Sequence, residues 1–414
     1  MTFWEAIRVG LSQLVTNKMR SLLSLIGILI AVGSVTGIVS LGDGLQSYIE
    51  KEFESFGGYT RIWSWPPNQW YRNEQGRWVS RNWEEFLTKR DIEVMMAESD
   101  YISSITPYIG IGGSDASMKY RSVSVAGNVQ ASDDTYMESE NRSLAEGRFL
   151  SVLDLARKAK VIVLGSELVE QLFGENVNPI DREIKLGSTR YTVVGVLEKK
   201  EFFDANFNTT AVIPITTAQT RITGNDRYNF ITVKVTSPRY VETVAEQMRN
   251  VYSRLHAHGE EFGIQTGQQA IEEINRVLLI MKIVAGGIAG ISLIVGGIGI
   301  MNIMLVSVTE RTNEIGIRKA LGAKRINILS QFLVEAVVLC LVGGLMGIML
   351  GLGIGTGLAA FITNLTGMEF TSIISVKMMA VAVGFSVSVG VTFGVYPAWR
   401  ASQLDPVDAL RHEA

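Results

Sequence analysis

Few residues in this chain are spaced for chemistry, and those few narrow the field. His256 and His258 stand beside Glu260 and Glu261 at the end of a helical pattern. Imidazole and carboxylate are common zinc ligands, but a site needs three or four of them held in fixed geometry. These residues do not complete such a set, and a solvated cluster of charges at a helix end is the expected reading. Glu335 borders the third of four long apolar stretches. An acid at that depth raises a proton relay by default. With no partner His or Asp in the apolar segments, placement in the interface or pairing with a loop Arg or Lys is expected instead. The chain contains no Gly-x-x-x-x-Gly-Lys-Ser/Thr phosphate loop, whose backbone amides would cradle a nucleotide. No nucleophile, base and oxyanion donors assemble in a recognisable pattern either. No catalytic residue and no metal ligand is therefore assigned.

The remaining candidate is a basic segment, Glu310 to Arg325. Glu314 to Leu321 has room for about two helical turns, and Gly322 suits the left-handed position that ends a helix. Ile317, Ala320 and Leu321 would form a small apolar knob flanked by Arg318 and Lys319. That is the composition of a docking element for another protein. It is equally that of a basic loop lying on anionic lipid.

What must position this segment is membrane-spanning. The uncharged runs Ser21–Gly42, Ile283–Thr309, Ala336–Met368 and Met378–Trp399 each meet the ~20 residues that a helix needs to cross the hydrocarbon layer. The expected fold is an α-helical membrane protein with four transmembrane helices and a large α+β extracytoplasmic domain between the first and second. The expected parts are an amphipathic cytoplasmic helix at 1–20, spans at 21–43, 276–309 (with a stalk), 326–365 and 377–399, the outer domain at 44–275, the loop 310–325 and a tail at 400–414. A hydrophobic content of 47% fits a chain shared between water and lipid. Basic residues cluster before the first span, in the 310–325 loop and after the last span. The positive-inside rule places these, and both termini, in the cytoplasm. The long block between the first two spans is mildly acidic, so nucleic acid is not an expected partner. The one cysteine, Cys340, falls in the third span, leaving the outer block to its own apolar core. The first apolar run is longer than a signal-peptide core and is expected to stay as an anchor.

Within the outer block, short β-rich runs at Ser122–Ala126, Val161–Leu164, Glu183–Leu186, Tyr191–Leu197, Ala211–Ile215 and Phe230–Val235 alternate with helical patterns at Ser166–Phe173 and Tyr240–Leu255, the signature of a mixed α+β module. Five of the seven tryptophans, Trp63, Trp65, Trp70, Trp78 and Trp83, surround Pro66-Pro67. The expected reading is indoles packed on their own domain or at the membrane interface; the alternative is a sticky loop for a ligand or partner. From about Gly267 to Thr309 the helical pattern is nearly unbroken, long enough, at roughly 60 Å, to continue beyond the bilayer as a stalk. Gly343, Gly347, Gly351 and Gly355 recur every four residues, and Gly286–Gly290 and Gly33–Gly37 repeat the spacing. On helices such glycines form seams that admit another backbone.

The run "GGIGIMNIMLVSVTERTNEIGIRKALGAKRINILSQFLVEAVVLCLVGGLMGIMLG" resembles the membrane core of FtsX-like permeases of the macrolide-exporter (MacB) type. "YPAWRASQLDPVDALR" resembles the end of that core, and "NKMRSLLSLIGILIAVGSVTGIVSLGDG" its opening. In the outer block, "EGRFLS", "VIVLGSELVEQLFG" and "YTVVGVLE" resemble the periplasmic-core pattern. Asp181 departs from it, standing where the resemblance expects Gly after Pro-Ile. The resemblance implies an ABC-transporter permease in a bacterial inner (cytoplasmic) membrane, acting as a homodimer. It further implies that the 310–325 loop contacts ATPase subunits, with Glu314, Ile315, Ile317, Arg318, Lys319 and Leu321 as contacts. ATP and Mg would be bound by that partner and no cofactor by this chain, which is expected not to be an enzyme. A separate ATPase subunit departs from the fused form of the family. Export of a drug, peptide or other amphipathic molecule with a membrane-fusion adaptor is the expected role. The alternatives are lipoprotein release and a force-transmitting complex that activates an extracellular partner such as a cell-wall hydrolase.

Overall fold

The computed structural model describes residues 18–55, 57–68, 70–72, 75–81, 83–174, 177–200, 207–366, 371–373 and 375–411. The expected amphipathic helix at 1–20 lies almost wholly outside them. Helix α1 (Lys18–Ser55) leads into β1 (Arg61–Trp65) and a hairpin of β2 (Trp70–Arg72) and β3 (Trp78–Ser80). Then come α2 (Lys89–Glu98), β4 (Ile102–Ile111), β5 (Ser117–Tyr120), β6 (Val123–Ala126), β7 (Asn128–Ser132), β8 (Leu144–Gly147) and β9 (Val161–Gly165). Helix α3 (Ser166–Phe173) precedes β10 (Glu183–Leu186), β11 (Thr189–Leu197), β12 (Thr210–Pro214) and β13 (Phe230–Val235). Helix α4 (Val241–Leu255) and β14 (Gly263–Thr266) complete the outer part. The chain ends in α5 (Gly267–Glu310), α6 (Thr312–Ala320), α7 (Arg325–Thr366), α8 (Val376–Gln403) and α9 (Pro406–Arg411). Two units result: residues 1–49 with 274–414, and residues 50–273.

The second unit is built on one mixed sheet of order β14-β1-β13-β4-β7-β12-β9-β11-β10-β5-β6, with β8 on β11. Its pairs are antiparallel apart from β9–β11 and β7–β12. Because side chains alternate across a strand, neighbouring residues feed different cores. Ile162, Leu164, Val193, Ala211 and Ile213 join one. Val163, Val194 and Val212 join the other, with Tyr108, Tyr136 and Leu150. Both faces are covered, so these strands read as almost continuous apolar runs. Asp181 takes a left-handed backbone conformation, φ 61°, and its N–H bonds the Val193 carbonyl at 2.9 Å. The turn that favours glycine is therefore kept, with a residue type that tolerates the conformation.

The tryptophans divide. Trp63 packs near Phe53, and Trp83 stacks on His258 with ring centroids 3.8 Å apart. Trp70 and Trp78, on the β2–β3 hairpin, are exposed and so do not pack on their own domain. The histidine cluster also differs from its expected form. The His256 side chain is 10% exposed, its Nδ1 2.9 Å from Glu85 and its Nε2 2.7 Å from Asp91. It is not a solvated helix end but a fastening of the end of α4 to Asp91 of α2 and to Glu85 just before it. Among the described residues, no group of three or more His, Cys, Asp or Glu is placed to hold a metal ion.

In the first unit, α1, α5, α7 and α8 are the helices long and apolar enough to cross a membrane. They surround a core that includes Ile28, Val32, Met304, Phe332, Ala336 and Val389. Helices α7 and α8 form an antiparallel pair with small residues at the contact. A methyl group at Gly390 would stand 2.9 Å from the Val337 Cα.

Candidate functional site

The basic segment folds as α6. Arg311 leaves helical geometry, separating α5 from α6, while the Thr312 hydroxyl bonds back to the Val308 and Thr309 carbonyls. At the other end Gly322 has φ 95°. The Gly322 N–H reaches the Lys319 carbonyl and the Ala323 N–H the Arg318 carbonyl, both at 3.0 Å. This pair of bonds is a Schellman closure, which needs a residue without a Cβ at the left-handed position.

The six residues proposed for this segment fall into two sets. Ile315 is buried beneath the helix, whereas Ile317 and Leu321 are 48% and 84% exposed. Spaced four apart, the latter two share one outward face. The charged residues mostly work inward. Arg318 Nη1 donates to Gln331 Oε1 at 2.6 Å, and Nη2 pairs with Glu314. Lys319 Nζ donates to the Ser402 and Leu404 carbonyls, both at 2.6 Å. Burial, assisted by Arg325, pulls the Lys319 ammonium below its ordinary pKa. Arg311 lies 3.7 Å from Glu335, which is 1% exposed. Glu335 is thus enclosed by protein, and its partner is a loop arginine, one of the two placements expected for it. These links tie α6 to α7 through Gln331, the α5–α6 junction to α7 through Glu335, and α6 to the end of α8 through Lys319. A buried carboxylate left without its cation is costly, so the arrangement holds the helix in one position. Helix α9 packs against it as well.

The glycine seams also resolve into two kinds. Gly347, Gly351 and Gly355 face Gly33 and Gly37 of α1: methyl groups at Gly33 and Gly37 would lie 3.1 and 3.2 Å from the Gly347 and Gly351 carbonyl oxygens. Gly343 is buried. Gly27 meets Gly296 in the same way, bringing α1 close to α5. By contrast, among the described residues nothing beyond the local backbone of α5 lies within 4 Å of where a methyl group would sit at Gly286 or Gly290. Around them Ile283, Val284, Ile288 and Ile291 are all exposed. Asp43 and Lys282 join α1 and α5 through a 2.6 Å ion pair.

Sequence reasoning reached α6 and its glycine stop from local pattern. It missed Gln331, Ser402 and Leu404, because nothing local marks a side chain or carbonyl that receives a bond from 13 to 85 positions away.

Comparison with known proteins supplies the context. A model of the MacB-like periplasmic core domain matches residues 21–251, and one of the FtsX-like permease C-terminal region matches 286–406. The macrolide export ATP-binding/permease protein MacB of Neisseria meningitidis is 34% identical over 99% of this chain and 61% of its own length. The probable syringafactin export ATP-binding/permease protein SyfD of Pseudomonas syringae pv. syringae is 34% identical over 99% of this chain and 60% of its own. The chain thus spans about six tenths of the length of these relatives. The periplasmic region of MacB from Actinobacillus actinomycetemcomitans aligns with 23% identity and a TM-score of 0.44, covering 55% of this chain and 97% of that one. With family models matching its outer domain and its membrane core, this chain belongs to the MacB-like, FtsX-like permeases of ABC transporters.

Proposed function

We propose that this chain is the permease partner of ATP-binding-cassette subunits, and that α6 receives their motion. The observation that carries the reading is the exposed Ile317–Leu321 pair on a helix clamped from behind by Gln331, Glu335 and the carbonyls of Ser402 and Leu404. An apolar knob of this kind stabilises a complex by excluding water from its contact. The clamps make it suited to passing a push into α7 and α8 instead of yielding alone. Placing α6 in the cytoplasm follows from the basic residues at this end, and puts residues 50–273 on the far side of the membrane. The continuous 44-residue α5 supports a lever between the two sides. Its open face at Gly286 and Gly290 supports pairing with a second copy, since small residues allow helix backbones to approach in lipid.

The names of the relatives, a macrolide export protein and a probable syringafactin export protein, favour an exported amphipathic molecule as the cargo; an adaptor outside the membrane completes the proposed pathway. In the proposed complex ATP and Mg are bound by the ATP-binding-cassette partner, and these 414 residues carry no phosphate-binding loop. The test is co-expression with the candidate ATPase and comparison of wild type with the double variant Ile317→Asp/Leu321→Asp. The reading expects the variant to fold and insert normally yet to lose at least tenfold in ATPase recovery, as removal of an interface anchor does. Undiminished recovery and coupled activity would show that α6 is not the dock.

A further inference from the structure

At the basic end of the first unit, α5, α6, α8 and α9 enclose a cavity of about 380 Å³ that the coupling role does not use. Its floor is apolar, formed by Leu305, Val306, Val308 and Leu404. Its rim carries two opposite charges, Arg400 and Asp408. Both are exposed, and they form no ion pair with each other or with another described residue. The threonine hydroxyls of the wall have spent their protons: Thr309 donates to the Val306 carbonyl at 2.7 Å and Thr312 to the Thr309 carbonyl at 2.8 Å. What those oxygens still offer are lone pairs, which accept hydrogen bonds.

We propose that this cavity binds the headgroup of a zwitterionic aminophospholipid from the adjoining leaflet. One cation and one carboxylate, held apart in a single cavity, complement a ligand that carries a phosphate and a primary ammonium. Arg400 presents a planar fork of donors to the phosphate. Asp408 and the threonine oxygens accept from the ammonium. The apolar floor receives the glycerol and the first methylenes, so the ligand is a lipid and not a free phosphate. Trp399 and Tyr396, beside Arg400 on α8, are about half exposed, as aromatic residues are at the headgroup level. Phosphatidylglycerol would satisfy Arg400 but offer Asp408 only neutral hydroxyl donors in place of a cation. A quaternary ammonium would satisfy the charge of Asp408 yet donate no hydrogen bond. The expected preference is therefore phosphatidylethanolamine, then phosphatidylglycerol, then phosphatidylcholine. Because Lys319 also holds the Leu404 carbonyl, a lipid here would brace α9 and α6 together.

Native mass spectrometry of the delipidated full chain, titrated with the three lipids bearing identical acyl chains, first alone and then with the ATPase added, tests the proposal. Phosphatidylethanolamine should be retained about tenfold over phosphatidylcholine, the order expected for one or two charge-assisted hydrogen bonds. Asp408→Asn should remove its advantage over phosphatidylglycerol, and Arg400→Gln should weaken both, while Arg400→Lys preserves most of the binding. Equal retention of the three lipids by the wild type, or an unchanged preference in Asp408→Asn, would overturn the assignment. So would one-for-one displacement of the lipid when the ATPase is added, which would make the cavity part of that partner's contact surface. Loss of lipid preference with ATPase binding intact leaves the proposed coupling role standing, so the two ideas fail separately.

Discussion

Two glycine patterns with the same spacing have opposite surroundings. On α7, Gly347, Gly351 and Gly355 lie against Gly33 and Gly37 of α1, with carbonyl oxygens where a side chain would go. On α5, Gly286 and Gly290 face open space in a field of exposed isoleucine and valine. The same division runs through α6, where Ile315 is enclosed and Leu321 is not. Small residues record that a backbone can come close; which backbone comes is decided elsewhere. Where the chain supplies the partner itself, the pattern serves folding. Where it does not, the pattern is free to serve assembly.

The largest effect should come from filling the closed seam. Gly351→Leu drives a side chain into the α1 backbone, where neither helix can shift without disturbing its own neighbours. A loss of about 3 kcal/mol or more is expected, read as a fall in yield and melting temperature of the full chain in detergent. Normal stability would mean that the seam is looser than described.

A second prediction separates failures of the outer unit from failures of helix packing. Asp133 is held by the Thr135 backbone N–H and hydroxyl, yet burial pushes its pKa up from 3.8 to about 6. Folding therefore favours the protonated acid. The stability this contributes is fully present below pH 4 and is lost as pH rises through about 6. Asp133→Asn keeps a neutral group there and should exceed wild type by about 2 kcal/mol above pH 7, converging with it near pH 4. Melting curves at both pH values check the sign, and the seam variants should not share this pH signature.

The smallest effect on the monomer belongs to the open face. Gly290→Leu should leave stability within about 0.5 kcal/mol, since nothing of the chain is displaced. It should nonetheless abolish self-association, measured by cross-linking or mass photometry in nanodiscs. A folded dimer in this variant would mean that the second copy sits elsewhere.

Much of this organisation can be read from local pattern. The four apolar runs, the unbroken α5, the Gly322 stop and the strands Glu183–Leu186 and Phe230–Val235 follow from charge gaps and side-chain period. What pattern does not carry is the identity of distant partners. His256 reads as a charged helix end until folding brings Glu85 and Asp91 to its two nitrogens. For Glu335 the pattern offers a loop arginine or lysine as partner but does not say which; the α5–α6 junction sets Arg311 beside it. The strand Ile102–Ile111 hides because Pro107 and Gly110 interrupt it, and both residues are unfavourable in strand interiors. The exposed Trp70 and Trp78 could not be told from the packed Trp63 and Trp83, because composition gives hydrophobicity but not the side of a hairpin that faces solvent.

The most direct test of the account is photo-cross-linking in intact cells from two positions, with a photoreactive amino acid in place of Leu321 or Trp78. Coupling through α6 predicts an adduct between position 321 and an ATP-binding subunit, and none between position 78 and that subunit. An adduct to the ATPase from position 78, with none from 321, would contradict both the docking surface and the orientation of the chain in the membrane.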